Sequence, residues 1–164
     1  VRRVEASVVV PVDPATAFAV SQLSGPVRLR WDPFVVRQQF LGGATAPAKG
    51  VLTSTVQRFG LRMISEYVSF RPPSTVGMRM MRGPWFFERF AGGWRFDAEP
   101  GPDGEPGTRA VWRYSFACRP AWLAPLAERI GERLLQREID RRLDGFARGC
   151  RDEAVLAAAR AALA

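Results

Sequence analysis

Histidine is absent from the 164 residues. That excludes the usual Ser-His-Asp and Cys-His nucleophile systems. It also excludes the zinc, non-haem iron and haem sites that depend on imidazole. Cysteine is scarce: Cys118 and Cys150 stand alone, without the spacing of a metal knuckle. They are expected to be buried free thiols of a cytoplasmic protein rather than a disulfide. Neither a metal nor a cofactor is expected. Lysine is nearly missing, with Lys49 set against 23 arginines, and together with abundant Ala, Gly and Pro this suggests a bacterial, GC-rich source. No apolar run is long enough to cross a bilayer, so stable membrane insertion is not expected. The opening VRRVEASVVVPV places two arginines before an apolar run, as a secretion signal does. Glu5 interrupts that run and no small-residue cleavage site follows, so a strand is expected. The missing initiator Met suggests a trimmed or partial chain.

What is present suits one domain over residues 1–164, with a core over about 3–150 and an Ala-rich helical tail at 151–164. Apolar residues make up 47% and charged residues 24%, ordinary values for a globular protein. The net charge of +8 raises nucleic acid as a partner. Residues 121–164, however, carry eight Arg against seven acidic residues, and the remaining excess is spread over many strands. No RNA- or DNA-binding motif accompanies it, so no nucleic-acid partner is expected.

The hydrophobic period is two up to residue 120 and 3.6 after it. Residues 2–11 alternate, with Val4, Ala6, Val8 and Val10 on one face. Asp13 and Pro14 then signal a helix start. A second short helix is expected over SGPVRLRW, capped by Ser24 and ended by Pro33. Strands follow at 34–41, 50–59, 61–70, 75–81, at 85–90 resuming over 94–98 beyond Gly92-Gly93, and at 108–118. In the last of these Trp112, Tyr114, Phe116 and Cys118 share a face. Beyond Pro120, Leu123, Ala127, Ile130, Leu134, Leu135, Ile139, Leu143, Phe146 and Cys150 recur at three- and four-residue steps, as on one long amphipathic helix. Glu138–Arg142 and Asp144–Arg148 have the spacing of supporting pairs on its outer face. Gly149 is expected to end it, leaving a further turn or a frayed tail. The order predicts an α+β fold: about seven strongly bent antiparallel strands wrapped around a long C-terminal helix, with two short helices between strands 1 and 2.

This order, with its local signals, resembles the SRPBCC or START-like superfamily and its helix-grip fold. The resemblance covers roughly residues 3–150. It rests on Val10-Pro11-x-Asp13-Pro14-x-x-x-Phe18, on Trp31-Asp32-Pro33, and on Glu66-Tyr67 with Pro72-Pro73. Gly93-Trp94-x-Phe96 and Gly107-Thr108-Arg109 leading to Trp112, Phe116 and Pro120 complete it. The best match is to the polyketide cyclase/dehydrase and lipid-transport branch. The resemblance implies an internal cavity for a hydrophobic, aromatic or polyketide-like molecule. Cyclases of this branch carry a Trp-x-Ser-x-Arg strand, whose matching positions here are Tyr67, Ser69 and Arg71. The arginine would hold or polarise a carbonyl or enolate oxygen. Two departures stand out: Tyr replaces Trp, and Arg71 directly precedes Pro72. A second family arginine aligns with Arg79, but an inward Val76, Met78 and Met80 sends Arg79 outward.

Three of the four methionines, Met78, Met80 and Met81, fall just before the Trp85-Phe86-Phe87 run, and the fourth is Met63. Such residues are either plain core or the lining of an adaptable pocket. The candidate ligand-binding set is Trp31, Met63, Tyr67, Val76, Met78, Met80, Trp85, Trp94, Trp112, Tyr114 and Phe116. Arg71, Tyr67 and Ser69 are the candidate catalytic group should the protein be an enzyme, one that would cyclise or dehydrate without a cofactor. The alternatives are a lipid or quinone carrier without chemistry, or an interaction module that docks a partner through Trp85–Phe87. Either a monomer or a homodimer fits.

Overall fold

In the computed structural model, which describes residues 1–164, β1 (Arg2–Val10) leads into α1 (Pro14–Gln22) and α2 (Pro26–Leu29). Six strands follow: β2 (Val35–Phe40), β3 (Leu52–Gln57), β4 (Arg62–Arg71), β5 (Thr75–Arg82), β6 (Phe87–Ala98) and β7 (Thr108–Cys118). The chain ends in α3 (Ala124–Gly149) and α4 (Glu153–Leu163). The strands form one antiparallel sheet in the order β1-β7-β6-β5-β4-β3-β2, which is the expected helix-grip arrangement. Register shifts interrupt the β2/β3, β4/β5 and β6/β7 ladders. Bulges of this kind bend strands and let a sheet curl over a helix.

Local chemistry explains most boundaries. The Asp13 carboxylate accepts from the Thr16 amide at 3.3 Å and the Thr16 hydroxyl at 2.6 Å, with Pro14 in the first helical turn. The Thr16 hydrogen bond holds the Asp13 carboxyl below its ordinary value. The cap of α2 is Gly25 at φ 72°, not Ser24, and no side chain caps it. A positive φ suits glycine, so backbone shape rather than a hydroxyl starts this helix. β6 runs unbroken through Gly92-Gly93, whereas Trp85 and Phe86 lie ahead of it in the β5–β6 connection. The tail is not frayed. Asp152 caps α4 by accepting from the Ala154 and Val155 amides, Arg30 donates to the same carboxylate, and Val155, Leu156 and Ala159 are buried. α4 packs mainly on α1.

The core lies between the concave face of the sheet and the second half of α3. Phe116, Ile139 and Phe146 are fully buried, and Trp94 stacks on Phe96 beside Phe146. Trp31 is wedged against α3. A Cβ at Gly145 would collide with the Trp31 carbonyl oxygen, and one at Gly149 would stand 2.8 Å from the Trp31 Cβ. Both positions have to be glycine for the Trp31 segment to approach so closely.

Candidate functional site

The first half of α3 touches the sheet along one side: a Cβ at Gly131 would stand 3.0 Å from the Phe116 ring, the Glu128 carboxylate accepts from the Cys118 amide at 3.2 Å, and Ala127 and Leu135 pack against the core. Its other side is open: Leu126, Ile130 and Leu134 are 58%, 51% and 55% exposed. Between this half-helix and the sheet lies a cleft of about 580 Å³. Phe87 and Phe90 of β6, Met63 of β4 and Leu134 and Leu135 of α3 line it, with Phe59, Leu61 and Phe86 at the loops. Its polar border includes Arg58, Arg137, Glu138 and Arg141.

Phe34, Gln57, Met63 and Phe90 line both this cleft and a smaller cavity of about 60 Å³, so the two adjoin. Met63, Met78 and Met80 meet in the smaller one, opposite Trp112, Tyr114 and Arg142. Gly92 opens room for them: a Cβ there would lie 2.9 Å from the Tyr114 ring and 3.0 Å from that of Trp112.

Arg142 anchors the inner end. Its Nη2 donates to Asp32 Oδ2 at 3.1 Å and its Nη1 to the Tyr114 hydroxyl at 3.4 Å. The guanidinium lies 4.5 Å from the Trp112 ring centroid and 5.2 Å from that of Phe34, positions for cation–π attraction. Asp32 Oδ2 also accepts from Arg28 Nε at 2.8 Å, and its Oδ1 from the Phe34 amide at 3.0 Å. Arg28 Nη1 donates to the Ser21 and Leu23 carbonyls, which end α1. Arg28, Asp32 and Arg142 are all buried. Burial alone would raise the Asp32 carboxyl, but Arg142 and Arg28 outweigh it and hold it below the ordinary carboxylate range. Burial pulls Arg28 down, while in Arg142 the opposing pull of burial is overcome by Asp32. Burial raises the hydroxyls of Tyr67 and Tyr114, keeping both protonated as donors.

Several candidates fall elsewhere. A register shift between Tyr67 and Ser69 breaks the alternation of β4. Tyr67 points inward, and Phe70 follows it, packing edge-on against Phe18 and Tyr67. Ser69 turns instead toward Gly77, and Arg71 is exposed. Tyr67, Ser69 and Arg71 therefore do not converge on one point. Arg79 faces outward, as the methionine pattern requires, and pairs with Glu66 at 2.9 Å. Trp31 lines neither cavity: it is 3% exposed, edge-on to Phe146, with Arg28 over its ring at 4.5 Å. Val76, Trp94 and Phe116 are core. Trp85 is 68% exposed, held by Arg119 donating to its carbonyl, and only its neighbours Phe86 and Phe87 reach the cleft. Both cysteines are free, and burial pushes the Cys150 thiol up to about 12.

Sequence reasoning missed Arg142. It takes the Glu138–Arg142 spacing for a surface pair, but Glu138 pairs with Arg141. The signal was present all the same. Arg142 sits inside the stripe of Ile139, Leu143 and Phe146, where an outward residue has no place.

A curled antiparallel sheet gripping a C-terminal helix, with an apolar cleft between them, defines a helix-grip protein of the START-like, Bet v 1-like class. The chain belongs to the polyketide cyclase / dehydrase and lipid transport family, which it matches over residues 1–151. No curated protein matches it. Solved structures share the fold at low identity. The Thermus thermophilus protein TTHA0849 is 19% identical at a TM-score of 0.69, over 96% of this chain and 99% of that one. A START superfamily protein from Mycobacterium smegmatis is 11% identical at a TM-score of 0.68, over 88% and 94%. Ara h 8.0201 is 14% identical at a TM-score of 0.62, over 91% and 97%. No helix of the chain is long and apolar enough to cross a membrane.

Proposed function

We propose that the protein binds a hydrophobic, ring-containing or polyketide-like small molecule in the cleft between α3 and the sheet. The observation that carries this is the open side of the first half of α3, which meets the core along its other side at Ala127, Gly131 and Leu135. Ile130 and Leu134 keep large apolar side chains half exposed above a cleft whose other wall is Met63, Phe87 and Phe90. Its volume of about 580 Å³ is that of a small-molecule site. Adaptable methionines stand at its inner end and rigid aromatics at its outer end, a combination that repacks around ligands of different outline.

Binding without turnover is the better supported form of this proposal. A cyclase or dehydratase needs donors converging on one reacting oxygen. Tyr67, Ser69 and Arg71 do not converge, because Phe70 takes the inward position between them. A carrier needs only the cleft and a way in. Docking of a partner protein through Trp85–Phe87 is less favoured, since Phe86 and Phe87 are already used in the cleft wall.

Native mass spectrometry of the protein purified from its source tests the proposal. A co-purified apolar small molecule, displaced by a fluorescent apolar probe, is the expected result. A protein that is empty and takes up no such probe would overturn it.

A further inference from the structure

The inner cavity is lined mainly by methionines on the β4–β5 side, beside Ser65, and carries unused hydrogen-bond donors on the other. Arg142 Nε and Trp112 Nε1 are both buried without any acceptor, and both residues line this cavity. They are 6% and 5% exposed. The rings of Trp112 and Tyr114 meet at 90°, with centroids 5.3 Å apart, and the indole N–H has only a loose contact with the Tyr114 hydroxyl, short of a well-formed hydrogen bond. Arg142 Nη1 also reaches that hydroxyl. Two N–H groups and a phenol therefore gather at one end of a space whose remaining wall mixes methionines with Gln38, Thr55, Gln57 and Ser65, and buried donors are rarely left without partners.

Charge gives a second, independent argument. Two buried guanidiniums, Arg28 and Arg142, share one buried carboxylate, Asp32. Asp32 is committed to all three of its neighbours, Arg28, Arg142 and the Phe34 amide. Arg28 turns Nη1 to the carbonyls that end α1, where partial negative charge collects. Arg142 has no such outlet, and the buried group retains one positive charge in excess on the residue that faces the cavity. A single anion placed there would restore neutrality and accept from the idle donors.

Resting on the cleft as the ligand site, we infer that this end receives a carboxylate: the ligand is an apolar body carrying one carboxylate, held by Arg142 and Trp112 beside Tyr114. The cavity of about 60 Å³ has room for a head group of that size, and the adjoining cleft takes the body. The guanidinium and a second N–H suit the two oxygens of a carboxylate, and charge-assisted bonds of this kind are the strong ones. A neutral alcohol of the same outline would leave the excess charge unmatched.

The test compares 2-naphthoate with neutral 2-naphthalenemethanol at neutral pH, by calorimetry and by quenching of tryptophan fluorescence. The acid is expected to bind about tenfold or more tightly than the alcohol, the discrimination that a charge-assisted contact gives in a buried site. Arg142→Met should reduce that ratio to about one while the alcohol still binds, since the change keeps the apolar stem and leaves Arg28 and Asp32 as a neutral pair. Trp112→Phe, which deletes only the indole N–H side of the ring, should reduce the ratio in part, and it serves should Arg142→Met not fold. Arg129→Gln, in the exterior arginine row of α3, should leave the ratio unchanged and so exclude general attraction by the basic surface. Equal binding of acid and alcohol to the unaltered protein would overturn the inference and leave the apolar cleft standing. Failure of both to bind would overturn the cleft reading, and this inference with it.

Discussion

The two halves of α3 share one sequence period and have opposite fates. From Ile139 to Gly149 the helix is core: Ile139 and Phe146 are fully buried, Leu143 nearly so, and glycines at 145 and 149 admit the Trp31 segment. From Ala124 to Glu138 the same stripe of Leu and Ile stands half in solvent over the cleft. A continuous amphipathic pattern reports that a face is apolar, but not what covers it. In this molecule the second half of the helix is enclosed by the core, while the first half meets the core along one side, at Ala127, Gly131 and Leu135, and turns Ile130 and Leu134 to the cleft where we propose the ligand binds. Arg142 stands where the two regimes meet.

The largest effect should follow from Phe146→Ala in the covered half. Phe146 touches Trp31, Trp94 and Phe96. Removing a buried ring of this kind costs about 3–5 kcal/mol, and urea denaturation should show it. Asp32→Ala at the junction should cost a similar amount, about 3–5 kcal/mol, because it leaves Arg28 and Arg142 buried without their shared counter-charge.

Acid should act through the same carboxylate. The folded-state pKa of Asp32 is held below its ordinary value, so its contribution to stability is fully present above the unfolded value, about 3.9, and is lost as pH falls through the folded value below that. Asp13 and Asp152, also held low, share this window. The discriminating measurement is therefore the pH dependence of the urea midpoint in Asp32→Asn against the unaltered protein. The variant should be weaker at neutral pH and should lose less on acidification. Parallel pH curves would show that Asp32 is not a charged partner in the fold.

In the open half the comparison reverses. Ile130→Gln with Leu134→Gln should change stability by no more than about 1 kcal/mol, since both sites are half exposed and Gln is a good helix former. The same pair should weaken 2-naphthalenemethanol binding several-fold. A stability loss as large as that of Phe146→Ala would mean this half is core as well. The smallest effect belongs to Met78→Leu with Met80→Leu, a volume-conserving change costing less than about 1.5 kcal/mol. If the methionines adapt the cavity, the variant should still bind one well-fitting probe but should accept a narrower range of competitors. An unchanged range would reduce them to ordinary packing.

Much of this was legible in the sequence. Alternation, turn residues and the change of period at Pro120 are local signals, and together they specify strand order, the long helix and the Asp13 cap. Met63, Met78, Met80, Trp112 and Tyr114 were legible as cavity lining because residues two apart in a strand share a face. What escaped was non-local. A bulge at Val68 swaps the faces of Ser69 and Phe70, and no single-strand pattern announces it. Trp31 goes to the core because glycines more than a hundred residues away make room for it. Arg142 reads as a surface partner of Glu138 until Asp32, from the far side of the fold, is seen beside it. The docking of α4 on α1 likewise depends on a surface that α1 alone does not reveal.

Hydrogen exchange along α3, measured with and without saturating 2-naphthoate, tests the central claim most directly. Amides around 126–134 should exchange faster than those around 139–149 in the free protein, because Leu126, Ile130 and Leu134 are more than half exposed whereas Ile139, Leu143 and Phe146 are buried. Bound 2-naphthoate should slow the first group and leave the second unchanged. Equal protection along the whole helix in the free protein, with no gain at 126–134 on binding, would contradict the division of α3 into a structural half and a ligand-facing half.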